Sequence, residues 1–146
     1  MQDGNRVTFA AALAAACLLA AGAGNAQTKT FHATLNAQQE VPPTDSKGTG
    51  TGEFKFDPAT KQLSWTISYS GLSGPAGAAH IHGPAAAGAN AGVEVNLSPN
   101  GAPANPITGT ATLTDAQVAD LTSGKDYVNI HTAANKGGEI RGQITP

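Results

Sequence analysis

The chain has 146 residues, a formal net charge of -2 and 12% charged residues, which suits one domain with a single core. Its eight Lys and Arg stand singly instead of in a stripe, which excludes a phosphate-binding surface for nucleic acid. The one cysteine, Cys17, lies in an apolar N-terminal run, so residues 27–146 can form no disulfide and use no thiol chemistry.

Residues 1–26 read as a secretory signal peptide. Arg6 and the amino terminus give a positive start, Val7 to Ala21 is almost wholly apolar, and Ala23, Gly24 and Ala26 are small. About 15 apolar residues fall short of the roughly 20 that span a bilayer, so a cleaved leader is expected, leaving no membrane span after its removal. The expected location is secreted or periplasmic.

Residues 27–146 then alternate short β-type stretches with Gly, Pro, Asn and Asp, the pattern of an all-β fold. In TFHATLNA, Phe31, Ala33 and Leu35 form one face and His32 points the other way. QQEVPPTDSKG leaves the sheet at its prolines. GTGEFKFD and KQLSWTISYS form a hairpin through the Asp57–Pro58 turn, with Leu63, Trp65, Ile67 and Tyr69 on one face. AAHIHG and GVEVNL follow, the second expected to bury Val93, Val95 and Leu97. ITGTATL is a further strand, and TDAQVADLTSG is the one helix, capped by Thr114 with Gln117 at its third position and ended by Gly124. DYVNIHT and GEIRGQIT complete the domain. The expectation is an antiparallel Greek-key β sandwich of about eight strands with one short helix.

Period-two geometry collects polar residues on three strands. His80 and His82 share a face opposite Ala79 and Ile81; Tyr127, Asn129 and His131 share one opposite Val128 and Ile130; Glu139, Arg141 and Gln143 share one opposite Ile140 and Ile144. With strands about 4.8 Å apart, His80, His82 and His131 can converge on one ion, and imidazoles without thiols select Cu(II) or Zn(II). His32 is a further candidate ligand, and Asn129, Glu139 and Arg141 are candidate binding residues of the same patch. Against this stands a plain hydrogen-bonded histidine network, with Glu139 paired to Arg141 or a neighbour.

The stretches LNAQQEVPP, AHIHGPA, GVEVNL, YVNIHT and GGEIRGQI, spread over residues 30–144, resemble the CHRD domain, named after chordin and common in secreted bacterial proteins. The resemblance implies a secreted β domain without an established activity for most members. Its histidine motif falls on His80 and His82, its NIHT on Asn129, His131 and Thr132, and its GEIRG on residues 138–142; Lys136 stands where the family pattern carries proline.

The His-x-His strand with a third histidine also resembles the copper site of the copper/zinc superoxide dismutases. Those enzymes need more than the four histidines present and normally a disulfide, so a single-metal site remains and dismutation does not follow. Metal-dependent or dismutase-like activity on the same cluster is the alternative reading. No nucleophile, base and orienter converge, since Thr132 faces away from His131, and Glu94 with Glu139 lacks the aromatic platform of a sugar cleft. The reading is therefore a binding or structural module for an unidentified extracellular or periplasmic partner, with residues 85–92 and 98–106 as contact loops.

Overall fold

The computed structural model describes residues 27–146; the expected leader lies outside them. Eight antiparallel strands form β1 (Lys29–Asn36), β2 (Thr49–Asp57), β3 (Gln62–Ser70), β4 (Ala76–His82), β5 (Val93–Asn96), β6 (Ile107–Thr112), β7 (Tyr127–Thr132) and β8 (Ile140–Gln143). The helix α1 spans Asp115–Thr122, and its Thr114 and Gln117 form the expected reciprocal cap.

The all-β antiparallel class, the strand number and the single helix are as expected, with one difference in arrangement. The strands form one sheet in the order β5-β4-β7-β8-β1-β2-β3-β6, not two. That sheet curls until its outer strands β5 and β6 line opposite sides of one cleft over Trp65, so it is nearly closed. Curling lets a single sheet enclose a core and leaves little free edge for other chains to pair with.

Alternation places the inward residues where the sequence puts them. Phe31, Ala33, Leu35, Leu63, Trp65, Ile67, Ala79, Ile81, Val128, Ile130 and Ile140 are all buried in one core. Burial of this apolar set, at about 25 cal/mol per Å², is the main favourable term holding the curl shut. β5 departs from expectation: Leu97 is buried and Val95 packs against the core, but Val93 is 56% exposed. Val93 pairs with His82 after a register shift at the end of β4, beyond the core's edge. Among the described residues no helix is long and apolar enough to cross a membrane.

The seam between β1 and β8 has no room to spare. A Cβ at Gly142 would sit 2.5 Å from the Thr34 carbonyl oxygen, and a backbone atom cannot rotate away. Gly142→Ala should therefore lower unfolding free energy by about 1–3 kcal/mol through overpacking. Urea denaturation checks it: a midpoint equal to wild type would show that the seam can open at no cost.

Candidate functional site

Because Ala79, Ile81, Val128, Ile130 and Ile140 face the core, the intervening side chains of β4, β7 and β8 face the other way. Register does the rest. His80 lies opposite Asn129, His82 opposite Tyr127, and Asn129 opposite Arg141. His131 lies on the same face, two residues beyond Asn129 and diagonal to His80, within reach of an imidazole.

The three histidines are half-buried, and each offers a ring nitrogen within 4.8 Å of the others. His80 Nδ1 stands 3.0 Å from His131 Nε2. Their ring centroids are 4.9 Å apart, with His82 at 5.6 Å from His80 and 6.1 Å from His131. His32 is not among them; on β1, it pairs with Glu53 and Thr145.

Main-chain acceptors fix the tautomers. His82 Nδ1 lies 3.0 Å from the Ala91 carbonyl and His131 Nδ1 lies 3.0 Å from the Lys136 carbonyl. A carbonyl only accepts, so both Nδ1 atoms carry a proton, and in the neutral form of such a ring the lone pair sits on Nε2. His131 Nε2 then accepts from His80 Nδ1–H. His82 Nε2 is buried and has no partner. Burial, then the other two imidazoles, lower the His80 pKa from its usual value. Burial also lowers that of His131, against the Lys136 carbonyl, which raises it. Both rings therefore favour the neutral form that a metal ion requires.

Beside the cluster, Tyr127 stacks on His82 with centroids 5.0 Å apart and planes 5° off parallel. The Arg141 guanidinium lies 3.3 Å from the centroid of the same Tyr127 ring. Arg141 is 1% exposed, and donates to Asn90 Oδ1 at 3.1 Å and to the Ala89 carbonyl at 2.8 Å. The loop from 83 to 92, of which residues 85–92 are expected from sequence to be a contact loop, thus closes over the site. Ala91 N–H donates to the Tyr127 hydroxyl at 3.1 Å, and Asn90 Nδ2 donates to the Val41 carbonyl. Asn129 is buried opposite Arg141, its amide donating weakly to the Gly137 carbonyl.

Glu139 does not pair with Arg141. It precedes β8, follows Gly138 at φ 133°, and turns away from the histidine face. Its carboxylate accepts from Ser46 Oγ, Ser73 N–H and Ser73 Oγ, each at 2.6 Å, from Thr132 Oγ1 at 2.5 Å and from Asn135 Nδ2 at 3.1 Å. Burial alone would raise its pKa, but the hydroxyl and amide donors outweigh it and hold the group at about 2. Glu40 shows the opposite balance. Burial pushes it up to about 7, against the lowering attraction of Arg141 and hydrogen bonds from Asn129 and Val41.

The sequence singled out neither Glu40 nor the stacking of Tyr127. Alternation places Tyr127 on the histidine face but carries no signal for ring stacking, and Glu40 lies outside the strands, where alternation does not apply.

Because the folded pKa of Glu139 lies below its unfolded value of 4.5, its stabilisation is full above about pH 4.5 and is lost as pH falls towards 2. Glu139→Gln should unfold more easily at neutral pH, by about 1.5–3 kcal/mol for the charged hydrogen bonds it weakens. Unfolding followed from pH 7 to pH 2 should show the two proteins converging; a gap independent of pH would contradict an ionised Glu139.

The CHRD domain family model matches residues 31–144. No curated protein and no solved structure matches the chain.

Proposed function

The chain belongs to the CHRD-domain family, and on that premise we propose that it is an exported, non-catalytic binding module that holds one transition-metal ion, Cu(II) or Zn(II), through His80, His82 and His131. Export rests on the leader-like residues 1–26. The observation that carries the metal reading is the buried, unpartnered Nε2 of His82 beside two further imidazole nitrogens. An orphaned buried acceptor costs about 1–3 kcal/mol, which an ion at that point would relieve.

Two further features support it. With His80 in the tautomer that carries its proton on Nε2, His80 Nδ1 and His131 Nε2 would both offer lone pairs, and their 3.0 Å separation is that of adjacent ligand nitrogens around an ion with bonds of about 2.0–2.1 Å. Carbonyl acceptors behind His82 and His131 are the outer hydrogen bonds that orient metal-bound imidazoles and raise their basicity. When bound, the ion would supply Lewis acidity; the chain supplies imidazole orientation, a stacked Tyr127 and a closed loop. Glu139 serves as structural support for the strand ends, Arg141 secures the 83–92 loop over the histidines, and Asn129 donates to the Gly137 carbonyl of the loop after β7.

The 3.0 Å contact between His80 and His131 also favours a second reading, in which the rings only brace the strands. Titration separates the two. Wild type should take up one equivalent of Cu(II) or Zn(II), with affinity reduced at least about 100-fold in His82→Ala. His131→Ala should lose melting temperature mainly in the metal-loaded protein. Equal loss with and without metal, or no stoichiometric uptake by wild type, selects the brace.

A further inference from the structure

The two end strands of the sheet face each other without pairing. Among the described residues no backbone hydrogen bond joins β5 to β6, and the cleft between them holds about 530 Å³. Register fixes which main-chain groups point into it. Leu97 N–H donates to the Ala79 carbonyl and Leu113 N–H donates to the Lys61 carbonyl, so by alternation Leu97 and Val95 turn their main-chain groups toward β4, and Leu113, Ala111 and Gly109 turn theirs toward β3. The intervening residues, Glu94 and Asn96 on β5 and Thr108, Thr110 and Thr112 on β6, therefore aim their N–H and carbonyl groups across the cleft. Of these groups the Glu94 carbonyl is taken, by Gln117 Nε2 of α1 at 2.9 Å. The others have no main-chain partner among the described residues.

Two side chains of the cleft are short of partners as well. Trp65 lines it and is 6% exposed, its indole packed under Gly109, where a Cβ would lie 2.5 Å from the ring. Its Nε1 is buried and has no acceptor. Glu94 also lines the cleft, and its Oε2 is buried without a donor. Glu94 is the one charged residue of the lining, and both ion pairs among the described residues lie elsewhere, Lys55 with Glu53 and Lys61 with Asp115. Burial first, then the charge of Asp120, raise the Glu94 pKa, as expected of an acid with no cation beside it.

We infer that this seam binds an extended segment of another protein as an added strand between β5 and β6, with a lysine or arginine of that segment beside Glu94. A strand placed there meets unpaired main-chain groups on both of its sides, where the edge of an open sheet offers them on one. Four residues, the length of β5, extend about 13 Å. Alternation sorts the side chains of the added strand. Those facing inward lie over Trp65, where a hydroxyl or amide oxygen accepts from Nε1–H, and those facing outward lie beside Glu94, where a cation supplies the missing charge. A second copy of this chain is the poorer occupant, since its own edge strands, VEVN and ITGTAT, carry no lysine or arginine. Occupied, the seam completes the closure of the sheet.

The probe is an acetylated, amidated hexapeptide of alternating threonine and lysine, added to the full chain. Trp65 is the only tryptophan, so its emission reports on the cleft directly. The peptide should shift that emission saturably below about 1 mM and slow amide exchange at Asn96 and Thr110 by about tenfold. A counterpart with glutamate for lysine should bind about tenfold more weakly, and one with a central proline, which cannot donate to a ladder, should not bind. Glu94→Gln should lose the preference for lysine over glutamate. Thr110→Pro removes one outward N–H and spares the pairing with β3, so it should melt within a few degrees of wild type and lose the peptide; if it unfolds, the proline peptide decides the same point. The inference is overturned if the threonine–lysine peptide leaves Trp65 emission unchanged, if the proline peptide binds equally, or if Glu94→Gln keeps the lysine preference. It is also overturned if sedimentation shows the chain alone self-associating with Asn96 and Thr110 already protected, which makes a second copy the occupant.

Discussion

Two main-chain carbonyls, on Ala91 and Lys136, decide what the histidine cluster can do. By taking the Nδ1 protons of His82 and His131 they settle which nitrogen of each ring carries a lone pair, and where that lone pair points. Neither carbonyl belongs to a strand. Ala91 is held in place because Arg141 grips the neighbouring Ala89 and Asn90 while the Tyr127 hydroxyl accepts from the Ala91 amide. Arg141 in turn lies over Tyr127, which stacks on His82. Strand register, cation–π contact, loop and imidazole orientation thus form one dependent series, anchored by the apolar residues on the opposite face of the same strands.

Buried acids in this domain fall into two kinds, and the difference lies in what surrounds them. Glu139 has hydroxyl and amide donors on both oxygens, and hydrogen bonds to a charged group contribute about 1.5–3 kcal/mol each, enough to outweigh its desolvation. It binds residues 46, 73, 132 and 135 together at one end of the sheet. Glu40 and Asp126 are as deeply buried but poorly supplied with donors, and burial pushes both up to about 7. The same functional group is therefore a fixed anion in one place and a proton holder in another.

The histidine face was legible because β4 and β7 alternate strictly: Ala79, Ile81, Val128 and Ile130 allow one assignment of inside and outside, and the imidazoles follow. Alternation failed where a strand had not yet begun. Glu139 was grouped with Arg141 by counting in twos, but Gly138 adopts a left-handed φ and β8 starts only at Ile140. Val93 was assigned to the core by the same counting and lies outside it, since β5 is an edge strand whose first residue passes the core's limit. The curl of one sheet in place of two packed sheets depends on pairings distant in sequence, such as β3 with β6, which local pattern does not encode. The tautomer-setting contacts were silent because carbonyl oxygens carry no side-chain signature.

That silence has a consequence for how such a site tolerates change. The His131 contact at Lys136 does not use the lysine side chain, since any residue there presents the same oxygen. Amino-acid identity at 91 and 136 is thereby nearly free. Contour length is not: adding or deleting a single residue between 83 and 92, or between 132 and 138, would misplace the acceptor by about 3.3 Å and leave an imidazole free to swing. Drift in composition and rigidity in spacing follow from the same pair of oxygens.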